Sequence, residues 1–251
     1  MSRADARAPL VADPRLAEMR AAWEGKPALR AVYGVYYERL ARALLPGPTL
    51  EVGGGFGNLK SFAPEVVSMD ILAAPWLDLM ADAHDLPFAD GSFANLVMFD
   101  VLHHIEHPRA FLSEAARVLR PGGRLAVMEP AITPLSWVFY SHFHPESVVM
   151  GADPLAEVPR RPGRDPFEAN QAIPSLLLGR HRARLEQAVP DLRILTVERT
   201  GFLAYPLSGG YRAWSLLPAA LARPLMRIED GIAPALGRLA AFRLFAVLER
   251  R

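Results

Sequence analysis

A chain of 251 residues, 51% of them apolar and with a formal net charge of +1, has room for one α/β unit with a large buried core and a small covering insertion, but not for a second full domain. Its basic residues are spread along the chain without a Lys/Arg block, which argues against nucleic acid as a partner. Cysteine is absent, so disulfides, thiolate nucleophiles and cysteine metal sites are excluded.

Met1 to Arg20 mixes Arg3, Arg7, Arg15 and Arg20 with Asp5, Asp13 and Glu18 and contains no unbroken apolar run, so no secretory signal is expected and the expected compartment is the cytoplasm. Leu16 to Leu45 is expected to form one or two amphipathic helices, packed over a sheet or covering a ligand. Short apolar runs then predict strands at Pro48 to Val52, Val66 to Asp70, Leu77 to Met80 and Ala94 to Phe99. Pro108 to Leu119 has helical spacing and stops at Pro121-Gly122-Gly123, before a fifth strand at Arg124 to Met128. Prolines crowd the stretch from Pro130 to Pro174, which predicts a loop-rich insertion of the kind that lids a substrate. A helix over Ser175 to Val189, an extended run Arg193 to Glu198 and a terminal strand Arg243 to Leu248 follow, the last two as an antiparallel pair. The expected organisation is one domain over 1–251: helices in 1–46, a core in 47–129, the insertion in 130–174, and the rest of the sheet in 175–251. The alternation of strands and helices makes the fold class α/β, a doubly wound and mostly parallel sheet. No stretch reaches the ~18 apolar residues that span a bilayer; Trp214 to Met226 is broken by Pro218, Arg223 and Pro224.

The first strand ends in an acid and runs into glycines, Glu51-Val52-Gly53-Gly54-Gly55-Phe56-Gly57, so the backbone there can turn sharply and approach a ligand closely. A strand, a glycine turn and a following helix with free N–H groups form the general nucleotide site of doubly wound sheets. A dinucleotide fingerprint starting at Gly53 or Gly55 needs Gly or Ala at position 58 or 60, where Asn58 and Lys60 stand. Lys26 and Lys60 are the only lysines, and neither has a tyrosine four residues before it, so a nicotinamide-dependent reductase is poorly supported. Asp70 ends the second strand, where it either accepts from two ribose hydroxyls or simply faces water. After the third strand, the Asp82 carboxylate can accept from an adenine amino group and the Ala83 N–H can meet a ring nitrogen; Phe99 closes the fourth strand at the same edge.

Residues 47 to 129 resemble the core of the class I methyltransferases, specifically the group called type 11 methyltransferases. The resemblance rests on the glycine turn, on Asp70, on Asp82-Ala83 with Leu86-Pro87-Phe88 and Asp90-Gly91-Ser92-Phe93, on Val101-Leu102-His103-His104, and on Arg117-Val118-Leu119-Arg120-Pro121-Gly122-Gly123, all in the family's order. It covers about a third of the chain, and departs from the family at Ala94, where an aspartate is frequent. It implies a seven-stranded Rossmann-like sheet and S-adenosylmethionine as cofactor. Glu51, Gly53, Gly55 and Gly57 would then lie around its methionine end, Asp70 on the ribose, and Asp82 with Ala83 on the adenine.

Methyl transfer from a sulfonium needs positioning above all, and a base only if the acceptor starts protonated. His103 and His104 follow the fourth strand and either accept a proton or cap the local backbone; His104 is the candidate base, and His103 is placed on the substrate side. The cluster Trp137 to His144 puts Tyr140, His142 and His144 in the insertion, as an acceptor wall or as aromatic core. A metal at the histidine pair is not expected, since no third ligand accompanies it. Leu207 to Tyr211 and Trp214 to Met226, flanked by Arg212, Arg223 and Arg227, either pack on the domain or meet a lipid-like acceptor or a membrane surface peripherally. The expected activity is S-adenosylmethionine-dependent methylation, at oxygen, of a small molecule or of a glycan- or lipid-linked intermediate. The rival is a catalytically inactive protein that keeps the fold for binding.

Overall fold

The computed structural model describes residues 12–251, so what the sequence suggests for Met1 to Val11 lies outside the described residues. Proline opens both N-terminal helices, α1 (Pro14–Gly25) and α2 (Pro27–Ala43), at the position where its missing N–H costs nothing. The side chain of Asp13 caps α1 by accepting from Arg15 N at 2.9 Å. On α2, Leu29, Val32, Tyr33, Tyr36, Tyr37 and Leu40 recur at helical spacing and are all buried against the sheet.

The apolar runs form β1 (Thr49–Val52), β2 (Val67–Asp70), β3 (Leu79–Met80), β4 (Phe93–Phe99) and β5 (Leu119–Pro130), and later β6 (Leu192–Thr200) and β7 (Arg243–Arg250). They make one seven-stranded sheet in the order β3-β2-β1-β4-β5-β7-β6, parallel except at β7, which runs antiparallel to both β5 and β6. Doubly wound architecture and the antiparallel final pair are as the sequence predicts. Strand residues face two layers in alternation. Leu96, Met98, Leu125 and Val127 share a core with Phe111, Leu112 and Ala115 of α3 (Pro108–Val118), while Val97, Ala126, Met128 and Val247 pack beneath α2.

Several local expectations change. The glycine turn leads into a single 3-10 turn, Asn58–Ser61, instead of a full helix, because Gly57 at φ 77° is left-handed and Pro64 closes the space before β2. The third strand is shorter than Leu77 to Met80. Asp78 still donates from its N–H to Ser68 O at 2.9 Å, but its carboxylate takes the Ser68 N–H at 2.7 Å, with Lys60 Nζ at 2.8 Å, in place of a backbone acceptor. Pro121-Gly122-Gly123 does form a turn, seen as a jump of register from Leu119 to Arg124 within β5. The insertion is not irregular throughout: it opens with α4 (Pro134–Phe143), for which Pro134 supplies the first helical residue and Thr133 with Ser136 a capping box. The helix expected at Ser175 starts earlier, as α5 (Ile173–Ser175), widens into a π turn at Leu176–Arg180, and ends as α6 (Arg182–Ala188).

Beyond β6 come a short α7 (Ala204–Ser208) and a long α8 (Ala219–Ala240). Among the described residues no helix is long and apolar enough to cross a membrane. The buried Glu229 of α8 accepts from Phe202 N at 3.0 Å and from Leu203 N and Ala204 N, both at 2.7 Å, so one carboxylate holds the free amides at the start of α7. Glu229→Ala strands these donors and is expected to lower unfolding free energy by about 3 kcal/mol. Urea denaturation checks it; a loss below about 1 kcal/mol would mean that water replaces the carboxylate.

Candidate functional site

The order in which the parallel strands are laid down reverses between β1 and β4, and the carboxyl ends of strands at such a switch point leave a crevice. Here it is a cavity of about 590 Å³. Gly53 and Gly55 of the turn, Asp70 at the end of β2, Asp82, Ala83 and His84 after β3, and Phe99, Asp100 and Val101 after β4 line it. Gly53 has no substitute: its φ is 74°, and a Cβ there would lie 2.3 Å from Val101 Cγ2. The Gly55 N–H donates to Asp70 Oδ2 at 2.9 Å, and Leu72 N donates to Asp70 Oδ1 at 2.9 Å, which fixes the carboxylate plane at the wall. Burial raises the Asp70 pKa, against the two backbone donors. Asp82 accepts from His84 N at 2.9 Å and pairs with Arg160. Despite burial, Arg160 and His84 bring its pKa down to about 2, so it is a carboxylate throughout the neutral range.

Glu51 and Gly57, expected at the same site, stand behind the wall. The Glu51 side chain is buried and accepts from Ser68 Oγ, with a pKa pushed up by burial to about 7. Gly57 instead packs against Trp76.

His103 and His104 separate. His103 is buried, with Nδ1 2.7 Å from Glu129 Oε2 and Nε2 3.3 Å from Glu146 Oε2. Burial opposes its charge, but the two carboxylates raise its pKa to about 10, so it is an imidazolium in a structural clamp and not a free substrate contact. Glu129 also accepts from Val101 N at 2.9 Å and Leu102 N at 2.7 Å. His104 does line the cavity. Burial and the neighbouring charge of His103 lower its pKa to about 4, and its Nδ1 has no hydrogen-bond partner among the described residues.

The histidine and tyrosine expected on the acceptor side also divide. Tyr140 is fully buried and its hydroxyl donates to Phe242 O at 2.9 Å, which makes it part of the core. His142 is spent on its own helix, donating from Nδ1 to Val138 O at 2.8 Å, and lines neither cavity. His144 lines a second, aromatic cavity of about 500 Å³ with Phe139, Phe143, Tyr205, Tyr211 and Trp214. Tyr211 belongs to both cavities and forms the wall between them.

Other wall residues are not singled out by any sequence motif. Tyr33 and Tyr37 reach the first cavity from α2, and with Phe56, Phe99 and Tyr211 they make an aromatic side to it; ring centroids of Tyr37 and Phe99 are 4.6 Å apart. Asp100, held at φ 56°, accepts from the buried Arg243 at 2.5 Å. The outer side is partly covered by Leu16 and Met19 of α1 and by residues 160–167. Arg15 Nη1 donates to Asp165 at 2.8 and 2.9 Å, with its guanidinium 4.0 Å from the Phe167 ring centre. A polar residue at the end of a predicted strand could have marked Asp100 and Glu129; the covering contacts depend on tertiary packing and leave no local pattern.

Gly53→Ala is expected to abolish ligand binding at the first cavity, checked by calorimetry on the folded variant. A second expectation concerns pH. Because the pKa of His103 is raised from 6.5 to about 10 by folding, its contribution to stability is complete below about 6.5 and is lost as pH rises through about 10. His103→Gln keeps a donor without the titration. Urea melts across that interval should show a steeper fall for the wild type than for the variant, and parallel curves would mean that His103 is neutral.

Residues 50–127 match the family model described as a methyltransferase domain. An O-methyltransferase of Aspergillus nomiae is 49% identical over 51 residues, 20% of this chain and 23% of that protein. An S-adenosylmethionine-dependent methyltransferase of Mycolicibacterium smegmatis is 33% identical over 110 residues, 38% of this chain and 43% of its own length. The chain thus covers less than half of either relative. Among solved structures, a methyltransferase of Thermotoga maritima is similar in fold, with a TM-score of 0.56, 14% identity, and coverage of 94% of this chain and 97% of that one. The sheet order is consistent with the class I fold, and residues 50–127 carry an S-adenosylmethionine-dependent methyltransferase domain, an enzyme domain whose cofactor is S-adenosylmethionine.

Proposed function

We propose that the chain transfers a methyl group from S-adenosylmethionine to an oxygen of a small molecule or of a glycan- or lipid-linked intermediate. One observation carries this: the cavity at the β1/β4 switch point combines a side-chain-free floor at Gly53 and Gly55 with the oriented carboxylate of Asp70. The residues fit the cofactor. Asp70 would accept from the ribose hydroxyls, Asp82 and the Ala83 N–H would hold the adenine, and the rings of Phe99, Tyr33 and Tyr37 would suit a sulfonium cation. Glu51 and Gly57 act through the shape of the turn, without contact.

The cofactor, when bound, supplies a methyl group already activated on sulfur. What this chain adds is mainly orientation and exclusion of water, for which well-placed reactants gain roughly 7 to 11 kcal/mol at best. Helix α1 and residues 160–167 cover part of the cavity and so shield part of it from solvent. His104, neutral because its pKa is near 4, lines the cavity and is the side chain we assign to take the acceptor's proton. His144 and the second cavity receive the body of the acceptor, whose reacting oxygen reaches past Tyr211 into the first cavity.

Calorimetric titration with S-adenosylmethionine, S-adenosylhomocysteine and NADH tests the reading. Binding of the first two and no heat from NADH is expected. Asp70→Ala removes charge-assisted hydrogen bonds of ~1.5 to 3 kcal/mol and should weaken S-adenosylhomocysteine at least about tenfold. An unchanged affinity would take the ribose away from Asp70, and silence from both adenosyl ligands would remove the proposed activity.

A further inference from the structure

Helix α8 has apolar residues on two sides. Ala222, Met226 and Gly237, with the carboxylate of Glu229, face inward and are buried, as a packed surface helix requires. Leu221, Ile228, Ile232, Leu236 and Leu239 are spaced to fall on one outward stripe, and they are 40% to 64% exposed. Helix α4, which contacts α8, repeats the anomaly: it contains no acidic residue, and Leu135, Trp137, Val138 and Phe143 are all exposed. An outer surface this apolar on a folded chain marks an interface.

The second cavity opens onto this face. Phe143 and Trp214 line the cavity and are also 61% and 45% exposed, and Leu216 beside them is 72% exposed. Charge then discriminates between occupants. Arg223 pairs with Glu38, and Asp230, the only exposed acid of α8, pairs with Arg39. Arg212 beside the cavity and Arg227 and Arg238 bordering the stripe have no carboxylate partner among the described residues. The charge left over at this face is positive. A second copy meeting it face to face would bring these arginines together and cover the cavity mouth. An anionic lipid surface would neutralise them, and exposed Trp137 and Trp214 have the amphipathic rings that sit at headgroup depth.

We propose that α4, α8 and the segment around Trp214 dock on an anionic phospholipid bilayer, and that the second cavity takes from it the apolar part of a lipid-like acceptor. The acceptor half of this proposal rests on the methyl-transfer reading above; the docking half does not. Docking is interfacial, since no described helix can span the bilayer.

The test is co-sedimentation of the full chain with vesicles of phosphatidylcholine alone and of phosphatidylcholine with phosphatidylglycerol, at low and high salt. Binding to the phosphatidylglycerol vesicles, weakened by salt, is expected. Ile228→Glu with Leu236→Glu, both at exposed positions, should reduce it about tenfold or more while leaving the affinity for S-adenosylhomocysteine unchanged. No vesicle binding, or equal binding by the variant, overturns the proposal. So does a wild-type dimer that the same variant converts to monomer, which would make a second copy the occupant. Vesicle binding without any S-adenosylhomocysteine binding leaves docking standing and removes the methyl-transfer reading.

Discussion

The buried carboxylate of Glu129 is the interaction on which the site depends. It sits at the end of β5, and it accepts from two successive amides after β4 and from the imidazolium of His103. A charge with no water around it is tolerable only when donors engage both its oxygens and a counter-charge is near, and both conditions are met here. The result is that Val101 cannot drift. Its side chain occupies the space where Gly53 lacks a Cβ, so the position of the glycine turn, and with it the floor of the cavity, is set from the neighbouring strands.

Much of this was legible in the sequence for a simple reason: strand ends and tight turns are local. Apolar runs marked the strands, and glycines followed by an acid at the next strand end marked the cavity floor. Asp70, Asp82 and Ala83 could be placed because their positions follow from where strands stop. Tyr33 and Tyr37 could not, since the same residues at the same helical spacing would serve equally to pack a helix on a sheet, and in fact they do both. His103 and His104 are adjacent and chemically identical in sequence, yet one is charged and the other neutral because only one lies between two carboxylates. Glu146, which helps to decide that, is far along the chain in an insertion with no periodicity to position it. Tyr140 and His142 illustrate the opposite error: a polar aromatic cluster suggests a site, but burial and a helix carbonyl had already claimed these two groups.

The N-terminal helices and the insertion have little contact with the parallel core in sequence, but they complete the cavity in space. Aromatic rings from α2, from the glycine turn and from Tyr211 converge on it, and the phenols of Tyr33, Tyr37 and Tyr211 are held well above their ordinary pKa by burial. They therefore remain neutral and supply ring faces to the cavity. Placing Tyr211 between two cavities has a further effect, since whatever fills one of them presses on a ring that the other shares.

Arg160 lies on Oδ2 of Asp82, and Oδ1 is already held by His84 N at 2.9 Å and His84 Nδ1 at 2.7 Å. Any ligand that takes this carboxylate does so by exchange, returning a guanidinium to the solvent. Part of the recognition free energy at that end of the cavity is thus a difference between two hydrogen-bonded states, small even when each is strong. A ligand that takes Oδ2 also cuts one tie of the covering segment to the strand ends, since Arg160 belongs to that segment.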